Sequence, residues 1–450
     1  MRRYARELVV IVLVACSAAA LYALAFYPGA MGFDSAYQWW QARGGQTSNV
    51  HSPALTWAWR ASDALSDGPG ALFLLQLALF FGGVALIALQ LPLLRSVWRV
   101  AFVLGAGALP ICWALFSALL SDTLLVGVLC CAVGLALPLR SGQGPGRFVA
   151  VLLLLLIAVL LRKNALPAVL PLLVYAFMRQ FGWPLVRSVL AACLVATLMQ
   201  AAAWVGESRV DRHGSVLPSL ELWDLAAMSI DSGQIVLPAS SHGPALTVED
   251  LAQAFRPYAC STLFEQTRAG MMPAFVDDGD PRGAQVTQAW LAAIAAHPGA
   301  YLRHRWRLTA ALFGAKATDW PQELVYFTGE TAYRDNPPLP AADGALNRAW
   351  LAVMRQLAPT PAFAAWPYLI VSIGVLAVAW RRRREPFGGL ALAVVASGWL
   401  YGLPLVVLAA SAELRYLGWT CVAAYIACAL ACAAKMNVAP TRVAGDAKSD

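Results

Sequence analysis

Charged side chains are scarce in this sequence. They make up 13% of the 450 residues, whereas apolar side chains make up 60%. A soluble globular domain usually carries about 25% charged residues. The composition therefore excludes an ordinary soluble protein, and it predicts an all-α polytopic membrane protein.

The sequence also lacks the cysteine pattern of a disulfide framework or a metal cluster. Eight of the nine cysteines lie in apolar runs, and only Cys260 falls in a long polar region. Cysteines in such positions are typical of small buried hydrophobic residues. A phosphate-binding glycine loop is missing as well, because the glycine-rich residues 142–146 do not follow a strand. Chemistry on a soluble nucleotide sugar is therefore not expected.

Positive charge is also distributed unevenly along the sequence. Residues 207–355 hold 16 acidic and 12 basic side chains, a net charge of −4, although the whole chain carries +8. The remaining basic residues are concentrated in short connections between apolar runs. This is the positive-inside pattern of membrane proteins, and it argues against a nucleic-acid partner.

Ten apolar runs are present, and we expect each to be a transmembrane helix. The middle runs are short for a bilayer, so they would have to thin it or lie among longer helices. The first run could also be read as a signal peptide with a lipoprotein box at Cys16, but its full length favours an uncleaved helix. The runs are residues 8–27, 71–91, 100–119, 124–139, 148–161, 165–178, 188–204, 363–380, 387–410 and 417–434.

The basic residues give these helices an orientation. The arginine-containing loops 140–147 and 381–384 are expected in the cytoplasm, together with both chain ends. This divides the chain into a transmembrane module (1–204), an extracytoplasmic domain (205–361), C-terminal transmembrane helices (362–434) and a cytoplasmic tail without regular structure (435–450). An interfacial helix is expected at residues 53–65.

The polar region 205–361 is predicted to be mostly helical, because it has no long alternating apolar runs. Thr247 and Asp250 form the pattern of a capping box. Further helices are expected at residues 284–296 and 299–313, separated by His297 and Pro298. The second combines Trp306 with three arginines, which is typical of a helix lying on a membrane surface; these arginines are Arg303, Arg305 and Arg307.

Acids and cations gather at the turns opposite the cytoplasm. Ionisable groups at such depth are costly and usually face a cavity or a partner. Ion pairing between helix ends, for example Asp122 with Arg162, would account for some of them, and helix capping would account for Asp34. A shared site accounts for the position of the whole set on one side. The residues are Asp34, Asp122, Arg162, Lys163, Glu413 and Arg415.

The first outer loop is also rich in aromatic residues. Trp and Tyr are common in a belt at the membrane interface, and their faces also stack on sugar rings. The sequence leaves both interpretations open for Tyr37, Trp39, Trp40, Trp57 and Trp59.

The order of these short motifs resembles the glycosyltransferase-C superfamily, whose members use polyprenyl-phosphate sugars, such as protein mannosyltransferases and aminoarabinose transferases. The resemblance rests on an acid soon after the first helix, a second acid after the third, and a large outward domain. Residues 205–298 match no family pattern. The motifs are residues 32–38, 51–53, 121–124, 161–164, 297–302 and 413–416.

The resemblance implies inverting transfer of a sugar from a polyprenyl-phosphate donor to an extracytoplasmic hydroxyl. Asp34 would be the general base, and the cations would stabilise the leaving lipid phosphate. Asp122 would orient the acceptor, hold a cation or pair with an arginine. The expected substrate-binding residues are Arg162, Lys163, Arg415, Tyr37, Gln38, His51, Glu413 and Tyr416.

The resemblance also implies the setting of the enzyme. It predicts a protein of the bacterial inner membrane, in contact with membrane lipid, whose acceptor is an envelope glycan, lipid or protein. Each loop offers an isolated acid without an Asp-x-Asp pair, which favours a metal-independent enzyme, with a divalent cation as the alternative.

A transporter or flippase of lipid-linked sugars or polysaccharide precursors is the main rival, and a non-catalytic scaffold is another. A transporter is expected to show internal repeats and charges near the bilayer midplane. We find no convincing repeat, and the charges lie at the outer edge.

Overall fold

The computed structural model describes residues 2–66, 68–91, 96–266, 270–316, 320–329, 331–340 and 342–436, and the chain is mostly helical. The helices, labelled in chain order, are α1 (Arg2–Phe26), α2 (Phe33–Ala42), α3 (Pro53–Ser66), α4 (Gly70–Gln90), α5 (Ser96–Ala108), α6 (Pro110–Phe116), α7 (Ser121–Ala136), α8 (Gly146–Leu161), α9 (Ala165–Phe181), α10 (Leu185–Glu207), α11 (Leu217–Ser232), α12 (Val248–Ala254), α13 (Ser261–Gln266), α14 (Pro281–Ala296), α15 (Pro298–Phe313), α16 (Ala345–Leu357), α17 (Trp366–Arg381), α18 (Pro386–Gly402), α19 (Leu405–Leu408) and α20 (Gly418–Met436).

All ten predicted apolar runs coincide with helices. Five helical stretches are long and apolar enough to cross a membrane, and these are Ala5–Phe26, Gly70–Gln90, Leu185–Glu207, Pro386–Leu408 and Leu414–Ala434. The apolar helices α7, α8, α9 and α17 are shorter, at 16 or 17 residues each. By length and composition the structure therefore supports a membrane protein with at least five spanning helices.

The predicted single helix at residues 100–119 is wrong in one respect. It is divided into α5 and α6, which meet at an angle of 59°. Proline lacks a backbone N–H and clashes with the preceding turn, so it kinks or breaks a helix. Pro110 begins α6 and explains the bend. If α5 and α6 together form one span, the number of candidate spans becomes six.

Close contact between α4 and α7 forms the centre of the bundle. A Cβ atom added at Gly83 would lie 2.6 Å from the backbone nitrogen of Cys131, and one added at Gly127 would lie 2.9 Å from Cβ of Leu79. Small residues at a helix interface allow the two backbones to approach closely. This packing fixes α7, whose first turn carries Asp122.

A second hydrophobic cluster lies in the polar region. It joins α11, α12 and α14 through side chains that include Leu222, Leu225, Leu251 and Val286. Strands β1 (Gly214–Ser215) and β2 (Val276–Asp277) pair antiparallel beside it. The predicted capping box is confirmed, since Thr247 and Asp250 exchange side-chain and backbone hydrogen bonds at the start of α12. The predicted break at His297 is also confirmed, because it separates α14 from α15.

One of the three arginines of α15 lies inside the protein, and the position of this helix on a membrane surface stays a prediction. His304 and Arg305 are buried, whereas Trp306 is 73% exposed. Arg305 points into the protein because the buried carboxylate of Asp224 pairs with it there. The exposed side of α15 keeps Arg303 and Arg307.

Among the backbone hydrogen bonds that join the described part of the region 205–361 to the helical bundle, two pairs form seams next to the segments that carry Arg415 and Asp34. In the first, Cys260 N donates to Ala410 O at 2.9 Å, and Ala412 N donates to Tyr258 O at 2.8 Å. This seam holds the segment that leads into Arg415.

The second seam lies at Met31. Met31 N donates to Gly329 O, and Thr331 N donates to Met31 O, each at 2.9 Å. It holds the segment that leads into Asp34. The tail predicted for residues 435–450 lies outside the described residues from 437 onward, and residues 435 and 436 end α20.

Candidate functional site

Arg415 is at the centre of the ionisable cluster. It lies in a 3₁₀ turn, Leu414–Leu417, just before α20, and its side chain is only 10% exposed. Its Nη2 lies 2.7 Å from Oδ2 of Asp34, and its Nε lies 2.5 Å from Oε2 of Glu413. Its Nη1 is 3.7 Å from Oδ2 of Asp122. One guanidinium therefore brings together three carboxylates, two of which are distant from it in the sequence.

Arg162 supplies the second guanidinium of the cluster. Its Nη1 donates to Oδ2 of Asp122 at 2.5 Å and to Oγ of Ser121 at 3.0 Å. Tyr401 donates its hydroxyl to Oδ1 of Asp122 at 3.2 Å. The side chain of Asp122 is 1% exposed, so both oxygens are occupied and closed off from solvent. The ion pair expected between Asp122 and Arg162 is confirmed.

Asp34 differs from Asp122 in its access to solvent. It lies in the first turn of α2, and because the N-cap position is Gly32, Asp34 does not cap the helix. Of its side chain, 37% is accessible to solvent. Oδ2 faces Arg415, whereas Oδ1 faces Nε2 of His51 at 3.7 Å, beyond hydrogen-bond distance.

The charges around Asp34 keep it ionised. Burial raises the pKa of a carboxyl group, but the positive charge of Arg415, the effect of His51 and the hydrogen bond from Arg415 together lower the pKa of Asp34 below its usual value. Burial also lowers the pKa of His51, although Asp34 opposes this effect. At neutral pH the site therefore contains a carboxylate beside a neutral imidazole.

Glu413 and Tyr416 complete the cluster. Oε1 of Glu413 accepts from Oγ of Ser411 at 2.7 Å. The ring of Tyr416 lies beside both guanidiniums, with its centroid 5.8 Å from Cζ of Arg162 and 5.0 Å from Cζ of Arg415. Such cation–π contacts hold the cations in place without neutralising them.

Three other predicted site residues are placed differently. Lys163 is 55% exposed and contacts Glu207 at 3.3 Å, so it lies outside the cluster. Gln38 is buried and lies close to Trp59 and Gln76. Tyr37 lies near His51, with ring centroids 5.8 Å apart, and its hydroxyl is 2.9 Å from Oγ of Ser48.

Two of the tryptophans cannot belong to a membrane belt or line an open sugar site. Trp39 and Trp59 are each about 1% exposed. Trp39 donates its indole N–H to Asp63 at 2.9 Å, which anchors α2 on α3. Trp57, which is 46% exposed, keeps a surface position.

A second buried ionic group was not predicted from the sequence. Asp224 of α11 is fully buried, and its Oδ2 accepts from Nη2 of Arg305 at 2.5 Å and from Nε1 of Trp290 at 2.9 Å. His304 Nε2 lies 3.2 Å from its Oδ1. Arg305 also donates to the carbonyl of Ala409 at 3.0 Å. The available signal was Asp224 itself, an acid in an apolar stretch, which requires a buried partner.

Lys316 was also missed. Burial lowers its pKa to about 8, despite the attraction of Glu413. Its Nζ donates to the carbonyl of Leu324 at 3.0 Å. The only sequence signal is that lysine is rare in this chain, where arginine is the usual cation.

No group of three or more His, Cys, Asp or Glu side chains within the described ranges could hold a metal ion. Comparison of the chain with protein-family models, with curated proteins and with solved structures finds no match. The cluster itself presents a partly accessible carboxylate next to two guanidiniums, at one end of an apolar helical bundle.

Proposed function

We propose that this protein is a membrane glycosyltransferase that moves a sugar from a polyprenyl-phosphate donor to an acceptor hydroxyl, with Asp34 as the general base. The observation that carries the proposal is the difference among the three carboxylates around Arg415. Asp34 is 37% exposed, whereas Glu413 is 17% and Asp122 is 1% exposed. A base must contact the proton that it accepts, and Asp34 is the carboxylate that a substrate can reach.

The two guanidiniums suit a departing lipid phosphate. Negative charge grows on the phosphate as the glycosidic bond breaks, and fixed cations stabilise that charge. Arg415 uses Nε and Nη2 for Glu413 and Asp34. An arginine has five N–H donors. Nη1 lies 3.7 Å from Asp122, beyond hydrogen-bond distance, so it is the group of Arg415 that would donate to a phosphate oxygen, next to the Asp34 oxygen that does not face His51.

Asp122 has a supporting role in this proposal. Its oxygens are bound by Arg162 and Tyr401, so it fixes the direction of the guanidinium. Of the roles expected for it, pairing with an arginine is the one supported by these contacts.

The proposal also includes the orientation of the protein in the membrane. Arg147 lies in the first turn of α8, and Arg162 follows the end of that helix. The basic loop 140–147 and the ionic cluster are therefore at opposite ends of α8. With basic loops inside, the cluster and residues 205–361 would face the outside of the bacterial inner membrane, where an envelope acceptor is found.

The test uses purified protein, a radiolabelled polyprenyl-phosphate hexose and an envelope extract that supplies acceptor hydroxyls, with transfer of label out of the lipid fraction as the readout. Loss of a general base typically slows a reaction about 10²–10⁴-fold, and we expect this for Asp34→Asn. Asp231→Asn is a matched control, because Asp231 is an exposed carboxylate paired with Arg303 at 2.6 Å outside the cluster. Turnover of Asp34→Asn at the rate of that control would refute the assignment of the base.

The same material distinguishes transfer from transport. In proteoliposomes a flippase would move the labelled lipid between leaflets and leave its glycosidic bond intact. A glycosyltransferase cleaves that bond. Translocation without cleavage would replace our proposal with the flippase alternative.

A further inference from the structure

Three aromatic rings form a ladder along the partly exposed side of α2. Phe33, Tyr37 and Trp40 are spaced by four and three residues, which places them on one helix face. The rings of Phe33 and Tyr37 are 6.4 Å apart and inclined by 9°, and those of Tyr37 and Trp40 are 6.1 Å apart and inclined by 21°. They are therefore nearly parallel, and Phe33 is 60% exposed.

A fourth ring reaches this ladder from a distant segment. The ring of Tyr333 lies 5.4 Å from Phe33, 5.5 Å from Tyr37 and 5.8 Å from Trp40, edge-on to each. The next residue, Arg334, places its Cζ 4.2 Å from the ring of Trp40.

The segment that carries Tyr333 is held at both ends. Thr331 N donates to Met31 O at 2.9 Å, and Asn336 Nδ2 donates to Ala36 O at 2.8 Å. Between these anchors Arg334 has φ = 49°, the only positive φ of a non-glycine residue in the described part of the chain. Such a conformation is uncommon for arginine and costs free energy. The four rings are thus brought together by an anchored and strained segment.

The ladder adjoins one particular oxygen of Asp34. Tyr37 contacts His51, which in turn faces Oδ1 of Asp34 at 3.7 Å. Arg415 binds the other oxygen, Oδ2. In a transfer with inversion, the attacking hydroxyl and the leaving group lie on opposite faces of the sugar. The phosphate belongs on the Arg415 side, so the acceptor belongs on the His51 side, where the rings are.

We infer that Phe33, Tyr37, Trp40 and Tyr333 form a carbohydrate subsite that holds a pyranose ring of the acceptor against Oδ1 of Asp34. The inference rests on the proposed function and narrows the acceptor to a glycan. The apolar C–H face of the sugar packs on the aromatic rings, and Arg334 donates to its hydroxyl groups. In the step itself the acceptor oxygen forms the new bond to the anomeric carbon, its proton goes to Oδ1, and the lipid phosphate leaves with the electron pair of the broken bond.

The experiment measures binding, without turnover, so that it does not depend on the donor. The full-length protein in detergent is applied to an array of defined pyranose oligosaccharides. We expect wild-type protein to be retained by at least one of them. Tyr333→Ala should raise the half-saturating concentration roughly tenfold, the upper range for losing an aromatic contact. Tyr333→Phe keeps the ring and should restore binding.

Two control variants test whether the ladder itself binds the glycan. Trp306→Ala removes an aromatic side chain that is 73% exposed on α15, outside the ladder, and should leave binding unchanged. Trp57→Ala removes another exposed aromatic side chain, 46% exposed and outside the ladder, and should also leave binding unchanged. Absence of binding to every oligosaccharide, or equal binding by Tyr333→Ala and wild type, would overturn the inference.

The outcomes also distinguish failure of the subsite from failure of the proposed function. Slow turnover of Asp34→Asn with unchanged glycan binding by Tyr333→Ala would overturn the subsite alone. Weakened glycan binding by Tyr333→Ala with normal turnover of Asp34→Asn would support a glycan site and overturn the role of Asp34.

Discussion

Replacing Arg415 by Gln tests whether this one side chain holds the ionic cluster together. The substitution leaves Asp34 and Glu413 without their shared guanidinium, while Asp122 keeps Arg162 at 2.5 Å. Removing one partner of a buried ion pair costs about 3–5 kcal/mol of stability. We expect a loss near the lower limit, because the side chain of Asp34 is 37% exposed and exposed charges are screened by solvent.

A double-mutant cycle isolates the Asp34–Arg415 interaction. Asp34→Asn removes one of the carboxylates that contact Arg415, so the double variant should lose less stability than the two single variants together. Residues in direct contact usually show a coupling of about 0.5–3 kcal/mol. The assay is equilibrium unfolding in mixed micelles with a rising fraction of SDS, followed by circular dichroism. Strictly additive losses would show that the 2.7 Å contact does not couple the two residues.

The pH dependence of the Arg415→Gln variant provides a second check. In wild type the pKa of Asp34 is lowered, so its stabilising contribution is present above the unfolded value of about 4 and is lost as the pH falls further. Removing Arg415 takes away the charge and the hydrogen bond that lower the pKa of Asp34, so we expect this pKa to rise in the variant. The stabilisation that ionised Asp34 contributes at neutral pH is then smaller, whereas at about pH 4 and below the two proteins differ less. The stability that Arg415→Gln loses relative to wild type should therefore be larger at pH 7 than at pH 4, and an equal loss at both would refute this reasoning.

The buried ionic groups lead to three further predictions. Asp224→Asn should cost about 3–5 kcal/mol in the same unfolding assay, because it leaves Arg305 buried without a counter-charge; a loss below about 1 kcal/mol would contradict the role of this pair. Wild type should gain stability as the pH rises from about 8 to about 10.5, since Lys316, whose pKa is lowered to about 8, is deprotonated first in the folded state; Lys316→Met should not show this gain. Asp122→Asn should slow sugar release less than Asp34→Asn does, because Asp122 is only 1% exposed; an equal or larger effect on turnover in folded protein would assign Asp122 a direct part in the chemistry.

The helices could be predicted from the sequence because membrane segments must be both apolar and of a minimum length. The predicted boundaries at Leu161 and Ala165 coincide with the observed end of α8 and start of α9. The bend at Pro110 was not predicted, because proline within an apolar run is often accommodated by neighbouring helices in membrane proteins. An apolar pattern alone does not decide between these outcomes.

The alternation of apolar runs and loops along the sequence was enough to place four ionisable residues at one end of the bundle: Asp34, Asp122, Arg162 and Arg415. It could not predict that Arg415 binds Asp34, because partner choice depends on the direction of each side chain within a few ångströms. Lys163 illustrates this limit, since it is adjacent to Arg162 in sequence but points toward Glu207.

The burial of Trp39 could not be predicted for a similar reason. A short helix such as α2 has one exposed and one buried face, and composition does not tell them apart. Local sequence patterns could not predict that Tyr333 packs on the rings of α2, since it lies about 300 residues away from them in the sequence.

The two hydrogen-bonded seams constrain how this chain can change over evolution or by design. One seam joins Cys260 and Tyr258 to the segment before Arg415, and the other joins Gly329 and Thr331 to Met31, three residues before Asp34. Residues 205–361, which are one continuous stretch of chain, are thus hydrogen-bonded to the segments on both sides of the Asp34–Arg415 ion pair. A chimaera that receives this region from another protein would have to keep the spacing between both seams. The region is therefore expected to be inherited or exchanged together with the helices that carry the site, and not as an independent module.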